Sequence, residues 1–366
     1  MNKNWFSTWW GIIVVGIIIG IIAPLLQKAG NPPNMGICVA CMERDLAGAL
    51  GLHRVEVVQY MRPEIIGFVL GSFLSALAFK EFRPRGGSAP FVRFILGIFA
   101  MIGALVFLGC PWRTLLRLAG GDLNAIFGLA GLIVGVGIGV LFFKAGYSLG
   151  RSQTLPSQSL GIAFPALMLG LLILLLFDPQ PEGQARGKIF FYSLQGPGAM
   201  HAPLGVSLLA GLFIGFLAQR SRFCTMGAFR DLLLFKQFHL FLGVLALGLT
   251  ALITNFILGQ FKFGFENQPI AHTMQVWNFL GMVLAGLAFA LAGGCPGRQL
   301  FLSGEGDMDA AVFVSGMIVG AAISHNFGLA SSAKGVGTYG PEAVIIGLAV
   351  CLAIGILGSK KDLKGR

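Results

Sequence analysis

The chain has 366 residues, 55% of them hydrophobic and only 11% charged, and its mean hydropathy is +0.81. That composition excludes an ordinary water-soluble domain and makes lipid the solvent for most of the surface. The formal net charge of +11 would direct a soluble chain toward nucleic acid, but no Lys/Arg run with interleaved aromatics accompanies it. The bias of cytoplasmic loops toward basic residues is the better account, so no nucleic-acid partner is expected.

A membrane-spanning helix needs about 17 to 25 mostly apolar residues. Ten stretches qualify in chain order: Trp9–Leu26, Met61–Phe79, Phe91–Leu108, Ala125–Phe143, Leu160–Phe177, Leu204–Ala218, Leu240–Leu258, Trp277–Ala292, Ala310–Asn326 and Val344–Leu357. Lys3 before the first run has the look of a secretory leader, but the run is long and no small-x-small cleavage site follows, so a retained helix is expected. With the amino terminus in the cytoplasm, six basic groups fall inside: Lys3, Lys80/Arg83/Arg85/Arg93, Lys144/Arg151, Arg220/Arg222/Arg230/Lys236, Arg298 and Lys360/Lys361/Lys364/Arg366. These hold 16 of the 26 basic residues, and many of the others stand near acids, as Arg186 and Lys188 do near Asp178 and Glu182. The reading is an all-α, multi-pass protein of the cytoplasmic (inner) membrane with both termini in the cytoplasm.

The chain also repeats itself at a lag of about 185 residues. Cys38-Val-Ala-Cys-Met-Glu-Arg44-Asp45 and Cys224-Thr-Met-Gly-Ala-Phe-Arg230-Asp231 both read Cys-x5-Arg-Asp. Gly109-Cys110-Pro111-Trp112-Arg113 is echoed by Gly294-Cys295-Pro296-Gly297-Arg298, and the cysteine spacings agree, 72 positions in the first half and 71 in the second. Five spans per half is an odd number, which turns the second half upside down. Two inverted repeats follow, residues 1–178 and 203–366, joined by the proline-rich linker 179–202. Such repeats bring broken or short helices together near the bilayer midplane, where a substrate path forms. The four cysteine motifs lie in segments too short or polar to span, around Gly36–Leu50, Pro111–Leu118, Phe223–Lys236 and Pro296–Leu302. They read as re-entrant helices, which must be shielded by protein or line a water-filled cavity.

Proline at the first helical position loses nothing, since its missing N–H had no partner there, so Pro111 and Pro296 place Cys110 and Cys295 at helix N-termini. Such ends carry free N–H groups and partial positive charge and attract anions. Thiols are soft, weak donors, suited to a sulfur or selenium atom that must bind and leave again, as conduction requires. The expected path cysteines are Cys38, Cys110, Cys224 and Cys295, supported by Arg44, Asp45, Arg113, Arg230, Asp231 and Arg298. The Arg-Asp pairs have a structural alternative, pairing with each other or with the opposite half to pin the short helices. Cys38-x-x-Cys41 resembles a redox or zinc half-site, but Cys41 corresponds to Gly227, outside the repeated design. A disulfide from Cys38 or Cys41 to Cys110 remains open, as does a thiol oxidoreductase or sulfurtransferase using Cys38/Cys41. Cys351 reads as packing. No metal site or cofactor is expected.

With these motifs the sequence resembles the YeeE/YedE family of membrane proteins, which includes thiosulfate permeases, over essentially its whole length. The stretch Gly36–Arg54, with Arg62-Pro-Glu64 and Phe82-Arg-Pro-Arg-Gly-Gly-Ser88, is similar to the YedE branch, assigned to selenium transport. The resemblance implies inward permeation in which cysteines at the pore centre hand the substrate along through S–H contacts. It does not imply an enzyme. Carried onto this chain, the path residues are Cys38, Cys110 and Cys295, with Cys224 as the repeat-related fourth. A small selenium or sulfur species is the expected substrate, selenium favoured over thiosulfate because the extra Cys41 and the long first-half connections depart from the thiosulfate pattern. An acceptor protein in the cytoplasm is plausible for such a carrier, though no residue identifies one.

Overall fold

The computed structural model describes residues 4–360; Lys3, Lys361, Lys364 and Arg366, used above to orient the chain, lie outside them. The fold is all-α and polytopic. Its helices in chain order are α1 (Trp9–Lys28), α2 (Val39–Ala49), α3 (Pro63–Ala78), α4 (Pro90–Phe107), α5 (Pro111–Ala119), α6 (Asn124–Lys144), α7 (Gln158–Phe177), α8 (Leu204–Ser221), α9 (Thr225–Phe235), α10 (His239–Ile257), α11 (Gln275–Ala292), α12 (Pro296–Gly304), α13 (Met308–Asn326) and α14 (Gly340–Lys360). Two short strands, Arg85–Gly86 and Gln153–Thr154, pair antiparallel at one end.

Among the described residues nine helices are long and apolar enough to cross a membrane, and α3 is a shorter apolar helix of 16 residues. The second of the ten expected spans, Met61–Phe79, is therefore trimmed at both ends. Pro63 takes the first helical position, while Arg62 before it is drawn into a buried ion pair and Lys80 beyond the end is left-handed at φ 56°. The four cysteine segments form the short helices α2, α5, α9 and α12, of 9 or 11 residues each. What stops the long helices before α5, α9 and α12 is a left-handed residue each time: Leu108 at φ 65°, Arg222 at φ 59° and Gly293 at φ 88°.

Helices of the first half pack mainly on helices of the second. The pairs are α3 with α8 and α1 with α10, α6 with α11 and α4 with α13, and α4 with α11. Exchanging α1–α7 for α8–α14 one for one turns each of the first four pairs into its partner and maps the fifth onto itself. The outermost helices break the pattern: α14 lies on α4 and α11, whereas α7 lies on α3. Small residues set these contacts, since helices in lipid gain stability from close approach. Gly67 and Gly211 meet backbone to backbone: a Cβ on Gly67 would fall 2.8 Å from Gly211 Cα, and one on Gly211 would fall 2.7 Å from the Glu64 carbonyl oxygen.

The basic segments gather at one face. Asn4 Nδ2 donates to the Arg220 carbonyl at 2.7 Å, Arg85 Nε pairs with Asp307 at 2.7 Å, Arg93 Nη1 donates to the Ala292 carbonyl at 2.8 Å, and Arg222 joins Glu81 to Glu305. The linker 179–202 folds against the opposite face, where the Asp178 carboxylate accepts N–H groups of Lys188, Ile189 and Phe190 at 2.7–2.8 Å and the Ser193 N–H donates to Gln59.

Overpacking at a backbone contact costs about 1–3 kcal/mol, so Gly67→Val and Gly211→Val each lower the thermal-aggregation midpoint of detergent-purified protein. Gly170→Ala and Gly248→Ala, where nothing lies within 4 Å of an added Cβ, leave that midpoint unchanged.

Candidate functional site

Each of the four repeated cysteines is the N-cap of a short helix: Cys38 of α2, Cys110 of α5, Cys224 of α9 and Cys295 of α12. The Cys38 sulfur accepts the Cys41 N–H at 3.4 Å and the Cys224 sulfur accepts the Gly227 N–H at 3.2 Å. Pro111 and Pro296 occupy the first position of α5 and α12, where the N–H they lack had no use. The helices are arranged in two pairs. Cys38 and Cys110 stand 3.8 Å apart, sulfur to sulfur, and Cys224 and Cys295 stand 3.7 Å apart. A disulfide needs about 2.05 Å, and all six cysteines are free thiols; of the two bridges to Cys110 left open by the sequence, the Cys38 one is a thiol contact in this structure. Every one of the four is at most 6% exposed.

The pairs lie toward opposite faces. The far end of α2 meets the linker through the Phe191 N–H and Ala49 carbonyl, and the far end of α5 receives the Lys262 N–H at Gly120. The far end of α12 receives the Arg83 N–H at Glu305, on the face of the basic loops. Trp112 sits between the pairs, with Phe68, Phe223 and Phe301 at centroid distances of 5.9–6.0 Å.

The Gly-Cys-Pro-x-Arg motif now has a packing reason. The arginine stem folds back over the glycine that precedes the cysteine: a Cβ on Gly109 would meet Arg113 Cβ and Cδ at 3.0 Å, and one on Gly294 would meet Arg298 Cγ at 3.3 Å. Beyond that the two arginines differ. Arg113 is fully buried and donates to the carbonyls of Leu108 and Ile270, with Cys41 sulfur 3.7 Å from its Nη1; among the described residues its Nε has no partner and no carboxylate pairs with it. Arg298 reaches Glu305 at 3.3 Å, and Glu305 also takes Arg222 at 2.8 Å and Arg85 at 3.8 Å. The repeat counterpart of Glu305 is Gly120.

The Arg-Asp pairs are internal, as the structural alternative held, and they too are unequal. Arg44 and Asp45 pair at 2.6 Å with almost no exposure, and Asp45 takes a second cation, Arg62, at 2.7 Å, whose other N–H groups donate to the carbonyls of Pro197 and Met200. Arg230 and Asp231 pair at 2.8 Å with side chains 30% and 17% exposed. Arg62 was visible in the sequence only as part of a branch resemblance, since nothing in its spacing from Asp45 announces a contact. Glu81 and Glu305 escaped notice for the same reason. Burial works to raise the Glu81 carboxyl, but hydrogen bonds from Gln219 and Arg220 and the charge of Arg222 hold it below the usual carboxylate range.

A cavity of about 360 Å³ opens at the face of the first pair, lined by Arg44, Val58, Leu108, Ile270, His325 and Ser331. Leu108 and Ile270 of this lining are the residues to whose carbonyls Arg113 donates.

Breaking a buried ion pair costs about 3–5 kcal/mol and an exposed one at most about 1 kcal/mol. Asp45→Ala therefore abolishes monodisperse protein in size-exclusion chromatography, while Asp231→Ala elutes as wild type.

Residues 220–357 match the family described as sulphur transport. Two curated relatives are the thiosulfate transporters TsuA of Spirochaeta thermophila, 38% identical over 100 residues, and of Escherichia coli, 33% identical over 105 residues. Each alignment covers 27% of this chain and under a third, 29% and 28%, of the relative.

Proposed function

We propose that the chain is a permease of the YeeE/YedE kind for a small sulfur- or selenium-containing species, a reading supported by the match of residues 220–357 to the family described as sulphur transport. One observation carries the reading: four thiols cap four short helices in two touching pairs, 3.8 and 3.7 Å sulfur to sulfur, one pair toward each face. A chalcogen atom entering at the first cavity meets Cys38 and Cys110, passes the aromatic cluster, and meets Cys224 and Cys295 before leaving among the basic loops. Contacts of this kind are soft and quickly exchanged, as a conduction path needs. The one-for-one exchange of helix pairs between halves supports two inverted repeats, residues 1–178 and 203–366. The gathering of basic segments at one face supports a cytoplasmic orientation of that face in the inner membrane, and so an inward direction of transport to an acceptor in the cytoplasm.

Selenium is favoured over thiosulfate as cargo. The thiosulfate transporters align with only 27% of this chain, and the first half carries the features of the selenium-linked branch, Cys41 among them. A second reading draws on the same residue: Cys41, standing beside Cys38 in the first half alone, suits a thiol oxidoreductase or sulfurtransferase. A protein-bound persulfide trapped at turnover on Cys38 or Cys41 and identified by mass spectrometry favours that enzyme; its absence during measurable uptake favours the permease.

Uptake of radiolabelled selenite, selenide and thiosulfate is to be measured in cells lacking their own importers. Wild type takes up at least one, and the Cys110→Ala/Cys295→Ala variant, present at equal abundance in the membrane, takes up none above background; equal uptake by the variant defeats the proposal. Arg113→Gln removes a buried cation with no carboxylate partner and reduces uptake of an anionic cargo about tenfold, the scale of one charged hydrogen bond. Arg298→Gln, whose charge Glu305 already neutralises, has the smaller effect.

A further inference from the structure

Trp112 and its repeat counterpart Gly297 are in contact. A Cβ on Gly297 would lie 3.3 Å from Trp112 Cζ2 and 3.6 Å from Cε2. With Cη2 also at 3.6 Å, the six-membered ring of the indole lies over the first turn of α12, two residues beyond Cys295, and Nε1 is bonded to the Cε2 corner of that edge. The ring also packs edge to face with Phe223, the residue before Cys224, at a centroid distance of 6.0 Å. The indole therefore fills the space between one thiol pair and the other, and it is joined by sequence to Cys110 through Pro111.

Its hydrogen bonding does not match its burial. Trp112 is 2% exposed and its Nε1 has no partner. Thr225, next to Cys224 at the start of α9, is fully buried and its hydroxyl has no partner either. A buried donor without an acceptor costs about 1–3 kcal/mol, and buried tryptophans ordinarily find a partner for the N–H. Phenylalanine would fill much of the same space among Phe68, Phe223 and Phe301 without that cost, and valine would replace Thr225 at almost constant shape. Two orphan donors beside helix N-termini, themselves sources of free N–H groups and partial positive charge, call for a visitor that brings acceptors.

We propose that Trp112 Nε1–H and the Thr225 hydroxyl form a central oxyanion site, taking the oxygens of a chalcogen oxyanion while its sulfur or selenium passes from Cys110 to Cys295. The inference rests on the permease reading and narrows its cargo. An oxygen-free species such as hydrosulfide or hydrogen selenide gains nothing from these donors, whereas thiosulfate or selenite satisfies them. Discrimination of this sort is strong because a site built to hydrogen-bond its substrate is left with unpaired polar groups by an analogue that cannot.

The full chain in proteoliposomes provides the test, with labelled thiosulfate and selenite and with hydrosulfide flux measured above protein-free vesicles. In Trp112→Phe the KM for the transported oxyanion rises about tenfold, as expected for one lost buried hydrogen bond to a charged group. Thr225→Val raises it about threefold for a weaker neutral-donor contact, and hydrosulfide flux stays near wild type in both. An unchanged KM in both variants overturns the site, and so does a parallel fall in oxyanion and hydrosulfide flux, which is the mark of packing alone. If Trp112→Phe does not fold, the Thr225→Val result and the tryptophan fluorescence of wild type decide. Thiosulfate or selenite shifts that emission and hydrosulfide does not; an emission indifferent to the oxyanions counts against the site. A wild type that moves hydrosulfide but no oxyanion overturns the site and leaves the permease reading intact, while a wild type that moves no chalcogen species defeats both.

Discussion

A helix that begins inside a membrane has free N–H groups in its first turn and no water to satisfy them. The fold contains four such beginnings, and its architecture is largely the set of answers to that problem. Pro111 and Pro296 delete one N–H at two of the ends, and the sulfurs of Cys38 and Cys224 accept one at the other two. Asp, Asn or Ser would cap more strongly, but a carboxylate would cancel the partial positive charge of the end and a hydroxyl would compete as a hard acceptor. Sulfur caps weakly. It leaves the helix end electropositive and presents a polarizable surface in the same place, so the residue that completes the backbone is also the one a chalcogen anion can touch.

The two ends of the path answer to different electrostatics. At the first pair, Arg113 is held by backbone carbonyls and keeps its charge uncancelled, and two of the residues it holds, Leu108 and Ile270, line a cavity together with Arg44. At the second pair, Arg298 leans on Glu305, which is shared with Arg222 and Arg85. A buried cation without a counter-ion raises the local affinity for an anion, whereas one already paired with a carboxylate does not. On the permease proposal, an anion would be drawn in at one mouth and meet a neutralised site at the other, which would favour release there. On the inverted-repeat reading the same motif provides capture and exit, and the change from Gly120 to Glu305 at one repeat position is enough to separate the two.

Much of this was legible in the residues because the constraints involved are local. Apolar runs marked the long helices within a few residues, Cys-Pro marked two helix starts, and the doubled motifs singled out Cys38, Cys110, Cys224 and Cys295, though not that they meet two by two within each half. What escaped was set by contacts between segments distant in the chain. Arg62 reaches Asp45 from the next helix, and in doing so it shortens the expected span Met61–Phe79. Glu305 collects arginines from three separate segments. No periodicity encodes such meetings, and Arg113 and Arg298 look equivalent until their surroundings are known.

Duplication alone cannot build the centre of such a molecule. Where two related halves meet, a residue and its counterpart compete for one space, and two tryptophans would not fit where Trp112 lies against Gly297. One copy must give way, and the glycine is the copy that does. The result is a barrier supplied by one half and a seat supplied by the other, with the orphan indole N–H necessarily on a single side of the meeting point. The asymmetry is then forced by packing before any selection for direction acts on it. Cys41 and its counterpart Gly227 differ as well, one turn into α2 and α9: a third thiol stands beside the first pair, whereas at Gly227 even a Cβ would crowd Cys224 and Leu240 at 3.2–3.3 Å. Directional differences in this fold arise first at the positions closest to the junction, because those are the positions at which the two copies were never free to stay the same.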